Sequence, residues 1–204
     1  MTSSTNRHPA RHALAADLPA LEVALATAFA DDPMITWVAG IADRSHRIER
    51  STVGFFRTAI AAGFQRGHLY TLDGCGGAAV WSPPDVRMFR EDEGNALGAA
   101  VHEHLGPAAL ERLVSLGAMV GSHHPHDSHF YLFVLGAASQ GGGVGAKVIR
   151  PVLDRCDIDG LPAYLESSSA QNLPFYERHG FRVLWEDRPP PDGPLFRGMW
   201  RDPR

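Results

Sequence analysis

One short stretch constrains this chain more than any other. Gln140-Gly141-Gly142-Gly143-Val144-Gly145-Ala146 stands between an aromatic and apolar run, His129 to Leu135, and an amphipathic run from Val144 to Asp157. The first run reads as a central strand. In the second, Val148, Ile149, Val152, Leu153 and Cys156 recur on one helical face. A strand, a glycine loop and a helix in this order let successive backbone N–H groups converge on one point, with the positive end of the helix behind them. That arrangement suits a phosphate or pyrophosphate. A connector whose glycines only ease a turn is the plainer alternative. Pro151 costs the helix about 3 kcal/mol, so a kink or a late helix start is expected there.

Two phosphate-binding patterns compete for the loop. No Gly-Lys-Ser/Thr follows the glycines, which excludes a Walker A loop. Gly141, Gly143 and Ala146 do match G-x-G-x-x-G/A, and Glu166 closes the next strand about where a ribose-binding acid belongs. An NAD(P)-binding oxidoreductase is therefore a rival reading. Against it, several small residues intervene between Leu135 and Gly141, and too little chain follows Glu166 to finish a doubly wound sheet.

The rest of the chain reads as follows. Met1 to Asn6 is a polar tail, and His8 to Leu14 a short first strand. Asp17 is placed to cap a helix with Pro19 in its first turn and an apolar stripe at Leu18, Leu21, Leu25 and Phe29, stopped by Asp31-Asp32-Pro33. A second helix runs from Arg44 to Gln65, with Gly63 and Gly67 ending it. His68 to Asp73 and Ala78 to Ser82 form a hairpin. Residues 85–121 are helical, divided near Gly106-Pro107. Leu161 to Ser167 is a strand, Asn172 to His179 a short helix, and Phe181 to Glu186 and Leu195 to Trp200 close the chain as strands. The 204 residues lack a clean linker, so one α+β or α/β domain fits.

A second segment joins the glycine loop in pointing to a family. Asn172-Leu173-Pro174-Phe175-Tyr176-Glu177-Arg178-His179-Gly180-Phe181 follows the loop at a distance of one helix and one strand. Together the two resemble the signatures of the GNAT acetyltransferase superfamily: a Gln/Arg-x-x-Gly-x-Gly/Ala loop, then a helix bearing Asn and Tyr that ends in Gly-Phe. Ala28-Phe29 to Trp37 and Ala79-Val80-Trp81-Ser82-Pro83-Pro84 are similar to members near the puromycin acetyltransferase type. The resemblance is strong over residues 129–200 and weak before them. Gly142 stands where many relatives carry a basic residue.

The resemblance implies a mixed, mostly antiparallel sheet with helices on both faces. It implies that Gln140 to Ala146 (with Gly141, Gly142, Gly143, Val144 and Gly145) hold the pyrophosphate of acetyl-CoA. Val134 and Leu135 would offer backbone groups to the pantetheine arm and acetyl carbonyl, Asn172 would hold that arm or cap its helix, and Tyr176 would protonate the leaving thiolate. Residues 8–128 would form the acceptor side and residues 129–200 the acetyl-CoA half. The reaction implied is acetyl transfer to a primary amine, more readily that of a small molecule, by direct attack without an acyl-enzyme. A CoA-binding domain without transfer is the non-enzymatic alternative.

Other residues add candidates of their own. Glu166, at a strand end, suits a general base or an anchor for a cationic amine, and a surface salt bridge equally well. Ser167 and Ser168 stand near it. Beside Phe175, the phenol of Tyr176 suits the wet side of its helix better than the core. Trp37, Phe55, Phe56, Trp81, Phe89 and Trp185 suit an acceptor pocket or plain core packing. His123, His124, His126 and His129 with Asp127 raise the question of a metal, but no HExxH helix or cysteine partner accompanies them. No metal is expected. A net charge of −4 gives no drive toward nucleic acid or anionic membrane and suits a cationic substrate. The absence of a signal-like start or an unbroken apolar span, and of a cysteine framework around Cys75 and Cys156, points to a reduced, cytoplasmic protein. No heptad decides between monomer and homodimer.

Overall fold

The computed structural model describes residues 9–139 and 142–204. Among these residues seven strands form one sheet in the order β1-β2-β3-β4-β5-β7-β6. They are β1 Arg11–His12, β2 Leu69–Thr71, β3 Gly77–Ser82, β4 Phe130–Ala137, β5 Ala163–Ser167, β6 Arg182–Asp187 and β7 Phe196–Arg201. Only β4 and β5 run parallel, joined by the helix after the glycine loop, and every other neighbouring pair is antiparallel. The sheet is the mixed, mostly antiparallel one expected. A doubly wound dinucleotide fold does not fit this order.

Among the described residues eight α-helices flank it: α1 Leu18–Ala28, α2 Pro33–Ala39, α3 Arg44–Ser51, α4 Arg57–Gln65, α5 Glu91–Leu105, α6 Pro107–His123, α7 Val144–Asp159 and α8 Leu173–Arg178. The sheet separates two cores. One gathers the buried faces of α1, α2, α4, α5 and α6 with Ala78 and Val80. The other gathers Val148, Ile149, Val152 and Leu153 of α7 and Tyr176 of α8 with Ala79, Trp81 and Leu165. The alternation along β3 is the period of a strand buried on both sides.

Several local expectations are corrected. Asp17 makes no side-chain cap on α1. It accepts from the Leu14 N–H at 2.7 Å and pairs with Arg11, closing the turn before the helix. Asp31-Asp32-Pro33 is more than a stop: Pro33 is the first residue of α2, and Asp32 caps it by accepting from the Met34 N–H at 2.9 Å. The predicted helix over residues 44–65 is continuous but contains a π-helical turn, Thr52–Phe56, between α3 and α4. Gly63 lies inside α4, where a Cβ would stand 2.5 Å from Val80 Cγ1, so this glycine permits close approach to β3. Helix α7 starts at Val144 and runs through Pro151, so no late start occurs.

Candidate active site

The site begins with two irregularities in β4. Pairing with β5 stops at Leu132 opposite Leu165. From Val134 to Ala137 the strand is laddered to β3 alone, while Glu166 and Ser167 of β5 pair only with β7. The parallel pair therefore splays, and one edge of β4 around Val134 and Leu135 is free of β5. The register with β3 also slips, because Val80 faces Val134 while Trp81 faces Leu132. The extra residue is Phe133. This bulge sends both Phe133 and Val134 to the α1/α5/α6 side and returns Leu135 to the α7 side.

A cavity of about 470 Å³ opens at this splay. Val134, Leu135, Glu166, Asn172 and Tyr176 all line it, so five residues singled out in the sequence meet in one place. Ser167 and Ser168 join them. Asn172 ends a 3-10 turn before α8 and makes no side-chain cap, which leaves its amide for the cavity. Gly142 to Ala146 form the turn into α7 at the end of β4. Gly143 adopts φ 67, the left-handed conformation that glycine tolerates best, and α7 has no side-chain cap over its first N–H groups. Gly145 packs under α8, where a Cβ would meet Phe175 Cζ at 3.4 Å. Gln140 and Gly141 lie outside the described residues.

Tyr176 departs from one expectation. It is buried, and Phe175 is the half-exposed neighbour. Facing inward still brings it to the cavity, because the cavity reaches the core. Burial, and after it the negative charge of Asp32, raises the Tyr176 phenol above its ordinary value. It therefore carries its proton at neutral pH.

Glu166 is held rather than free on the surface. Its side chain is 6% exposed, and Oε2 accepts from the Tyr131 hydroxyl at 2.6 Å. Oε1 is buried with no hydrogen bond among the described residues, and His124 Nδ1 stands 3.6 Å away. Burial first and the Glu166 charge second push the Tyr131 phenol well up, so Tyr131 stays a donor.

The sequence reading missed Asp32. It lines the same cavity and accepts from Ser168 Oγ at 2.8 Å. Burial raises its carboxyl above the usual range, against the hydrogen bonds from Ser168 and the α2 backbone. A capping signal was readable at Asp32, but its partner lies 136 positions away and nothing local announces it. Tyr131 was missed for the same reason, its partner Glu166 lying 35 positions away, whereas His124 was noticed only as one of the clustered histidines.

Of the aromatic candidates, Phe55, Phe56 and Phe89 line the cavity. Trp81 is fully buried in the α7 core, Trp37 donates to Pro191 O, and Trp185 donates to Tyr164. The histidine cluster is distributed among different tasks. His123 pairs with Asp187 and stacks on Trp185, His124 faces Glu166, and His129 is buried against the Asp127 carbonyl. Among the described residues no group of three or more His, Cys, Asp or Glu is arranged to hold a metal. The two thiols are unpaired and line no part of this cavity. Burial pushes Cys156 to about 12 and raises Cys75, so neither is a ready nucleophile.

Known proteins bear on this geometry. Residues 97–199 match the family described as acetyltransferase (GNAT) domain. An uncharacterised N-acetyltransferase of Schizosaccharomyces pombe is 47% identical over 57 residues, which cover 27% of this chain and 23% of that relative. A Corynebacterium glutamicum structure described as histone acetyltransferase HPA2 and related acetyltransferase superposes with a TM-score of 0.68 at 24% identity, covering 97% of each chain. Arylalkylamine N-acetyltransferase 2 of Aedes aegypti gives 0.62 at 12% identity, over 98% of this chain and 100% of that one. The Drosophila melanogaster polyamine N-acetyltransferase gives 0.58 at 14% identity, over 95% and 98%. At these identities the structures are alike in fold alone.

Proposed function

The chain belongs to the GNAT acetyltransferase family, and on that premise we propose that it is an acyltransferase that moves the acetyl group of acetyl-CoA directly to a small-molecule primary amine. The observation that carries the reading is the meeting of three things in one cavity: the free edge of β4, the phenol of Tyr176 and the carboxylate of Glu166.

The residues fit acetyl-CoA as a substrate. The uncapped first turn of α7 behind Gly143 suits its pyrophosphate, along with Gln140, Gly141, Gly142, Gly145 and Ala146 of the family motif. The unpaired edge of β4 at Val134 and Leu135 supplies backbone partners for the pantetheine arm, and Asn172 a side-chain amide. When bound, acetyl-CoA brings a thioester carbonyl as the acyl donor. Residues 129–200 then serve the donor, and residues 8–128 supply most of the acceptor walls. The relatives named for arylalkylamines and polyamines support an amine as acceptor.

Glu166 takes a proton from the substrate ammonium, aided by Tyr131, which fixes one carboxylate oxygen and leaves the other for the amine. The freed nitrogen attacks the carbonyl carbon, the carbon–sulfur bond breaks as Tyr176 gives its proton to the departing thiolate, and the surplus proton on the new amide nitrogen passes to the Tyr176 phenolate while Glu166 releases its own to solvent. No acyl-enzyme is needed, in keeping with two thiols held protonated away from the cavity. One observation favours a second assignment of the base. Asp32 has the carboxyl raised by burial and the charge that reaches Tyr176.

The test follows thiol release from acetyl-CoA across a panel of primary amines, as a function of pH. Glu166→Gln is expected to lower kcat/KM by about 10²–10⁴-fold. Should Asp32→Asn do this and Glu166→Gln not, Asp32 is the base. Should no amine give thiol release, the proposal fails.

A further inference from the structure

We infer that the acceptor amine carries a bulky apolar tail, such as an aromatic ring, and that glycines on α5 and α6 make room for it. The inference rests on the acetyl-transfer reading above and narrows its substrate. Gly94 and Gly98 are four residues apart on α5, and Gly117 and Gly121 four apart on α6, so each pair shares a helix face. All four line the cavity.

Backbone geometry does not call for glycine at these places. None of the four has a positive φ. A Cβ at Gly94, Gly117 or Gly121 would meet nothing within 4 Å, and one at Gly98 would make an ordinary contact with Leu110 at 3.6 Å. Glycine inside a helix lowers its stability relative to alanine. What its presence gains here is space along one cavity wall. The remaining α5 and α6 lining is apolar: Leu97, Leu110, Leu113, Val114 and Val120 among them.

A second observation fixes the polarity of the occupant. Glu166 Oε1 is buried and without a hydrogen bond among the described residues, in a side chain more than nine-tenths buried that lines the same cavity. His124 Nδ1, at 3.6 Å, is too far to hydrogen-bond this oxygen; a desolvated carboxylate oxygen without a hydrogen bond is costly, and an amine or ammonium N–H is the donor that satisfies it. The polar lining residues Asp32, Glu166, Ser168, Asn172 and Tyr176 come from the α1–α2 junction, the end of β5 and the turn into α8, joined by Tyr131 of β4 and by His124 just past the end of α6. The α5–α6 wall contributes no charged side chain to the cavity. A substrate with one amine head and an apolar body matches this division. A tail bearing a second cation would have no partner on that wall.

The experiment compares 2-phenylethylamine, ethylamine and agmatine as acceptors for the full chain with acetyl-CoA, and repeats the comparison in Gly117→Leu and Gly117→Ala. The wild type is expected to favour 2-phenylethylamine over both others by about 10-fold or more in kcat/KM. In Gly117→Leu the preference for 2-phenylethylamine over ethylamine falls about 10-fold or more. Gly117→Ala, which restores helix propensity, melts at or above the wild-type temperature and shows that the helix tolerates the position. Equal use of the three amines by the wild type, or an equal loss for all in Gly117→Leu, overturns the inference. If no amine is acetylated, the acetyl-transfer reading falls separately. Calorimetry with 2-phenylethylamine alone then decides this one: binding that weakens in Gly117→Leu keeps it, and no binding ends it.

Discussion

Tyr176 and Asp32 illustrate how burial makes a side chain useful and costly at once. A phenol raised by burial and by a nearby carboxylate is a dependable proton donor at neutral pH. Tyr176→Phe is expected to lower kcat by about 10²–10³-fold with little change in the calorimetric affinity for acetyl-CoA, because the ring still fills its place in the α7 core. A comparable loss of affinity would make Tyr176 a packing residue. Asp32 carries the matching cost. Its folded pKa lies above the unfolded value, so its charge is a penalty above the folded pKa that disappears as pH falls below the unfolded one, about 3.9. Asn caps a helix about as well as Asp. Asp32→Asn should therefore melt at or above the wild-type temperature at pH 7, with the difference closing toward pH 3.5. A large loss of stability at pH 7 would show that the Ser168 hydrogen bond outweighs the desolvation.

Among the elements, α7 shows a local rule broken within a stable core. Pro151 sits inside the helix and forfeits one backbone hydrogen bond, while Val148, Ile149, Val152 and Leu153 around it are buried. Their packing offsets the loss. Pro151→Ala should stabilise the chain by about 2 kcal/mol, a rise of roughly 4–8 °C in thermal melts, and an unchanged or lower Tm would show that the proline costs nothing here. Most elements were readable because their signals are local. The stripe of α1, the break at Gly106-Pro107 and the loop before α7 depend on residues a few positions apart. Helix α2 was not, because Pro33 reads equally as the end of one helix or the first turn of the next. The π-helical turn has no sequence signature, yet it delivers Phe55 and Phe56 to the cavity. The site divided in the same way. Tyr176, Asn172 and Glu166 were legible as candidates through motif and strand end, and all three line the cavity. Asp32, Tyr131, His124 and the paired glycines gain meaning only when distant elements face each other.

Taken together, the charges on this chain define its response to acid. Burial lowers the pKa of His68 and His129, so folding favours their neutral forms. Their contribution is complete above the unfolded value near 6.5 and is lost as pH falls through that value toward the folded pKa. Asp17 and Asp157, held below the usual carboxylate range by Arg11 and Arg201, lose their contributions only at lower pH. Thermal melts should therefore fall in two stages, one beginning near pH 6.5 and one below about pH 4. His68→Gln should shrink the first stage and leave the second. A first stage of the same size in that variant would remove His68 from the account. No helix among the described residues is long and apolar enough to cross a membrane.

The splayed sheet, the glycine turn and the placement of Tyr176 all depend on one claim, that this cavity receives acetyl-CoA. Isothermal titration of acetyl-CoA into the full chain tests it most directly, with NAD and NADP titrated in parallel. Saturable binding of acetyl-CoA in the micromolar range at one site per chain, with no heat from either dinucleotide, is the predicted result. Binding of NAD or NADP without acetyl-CoA, or no binding of any of the three, would contradict it.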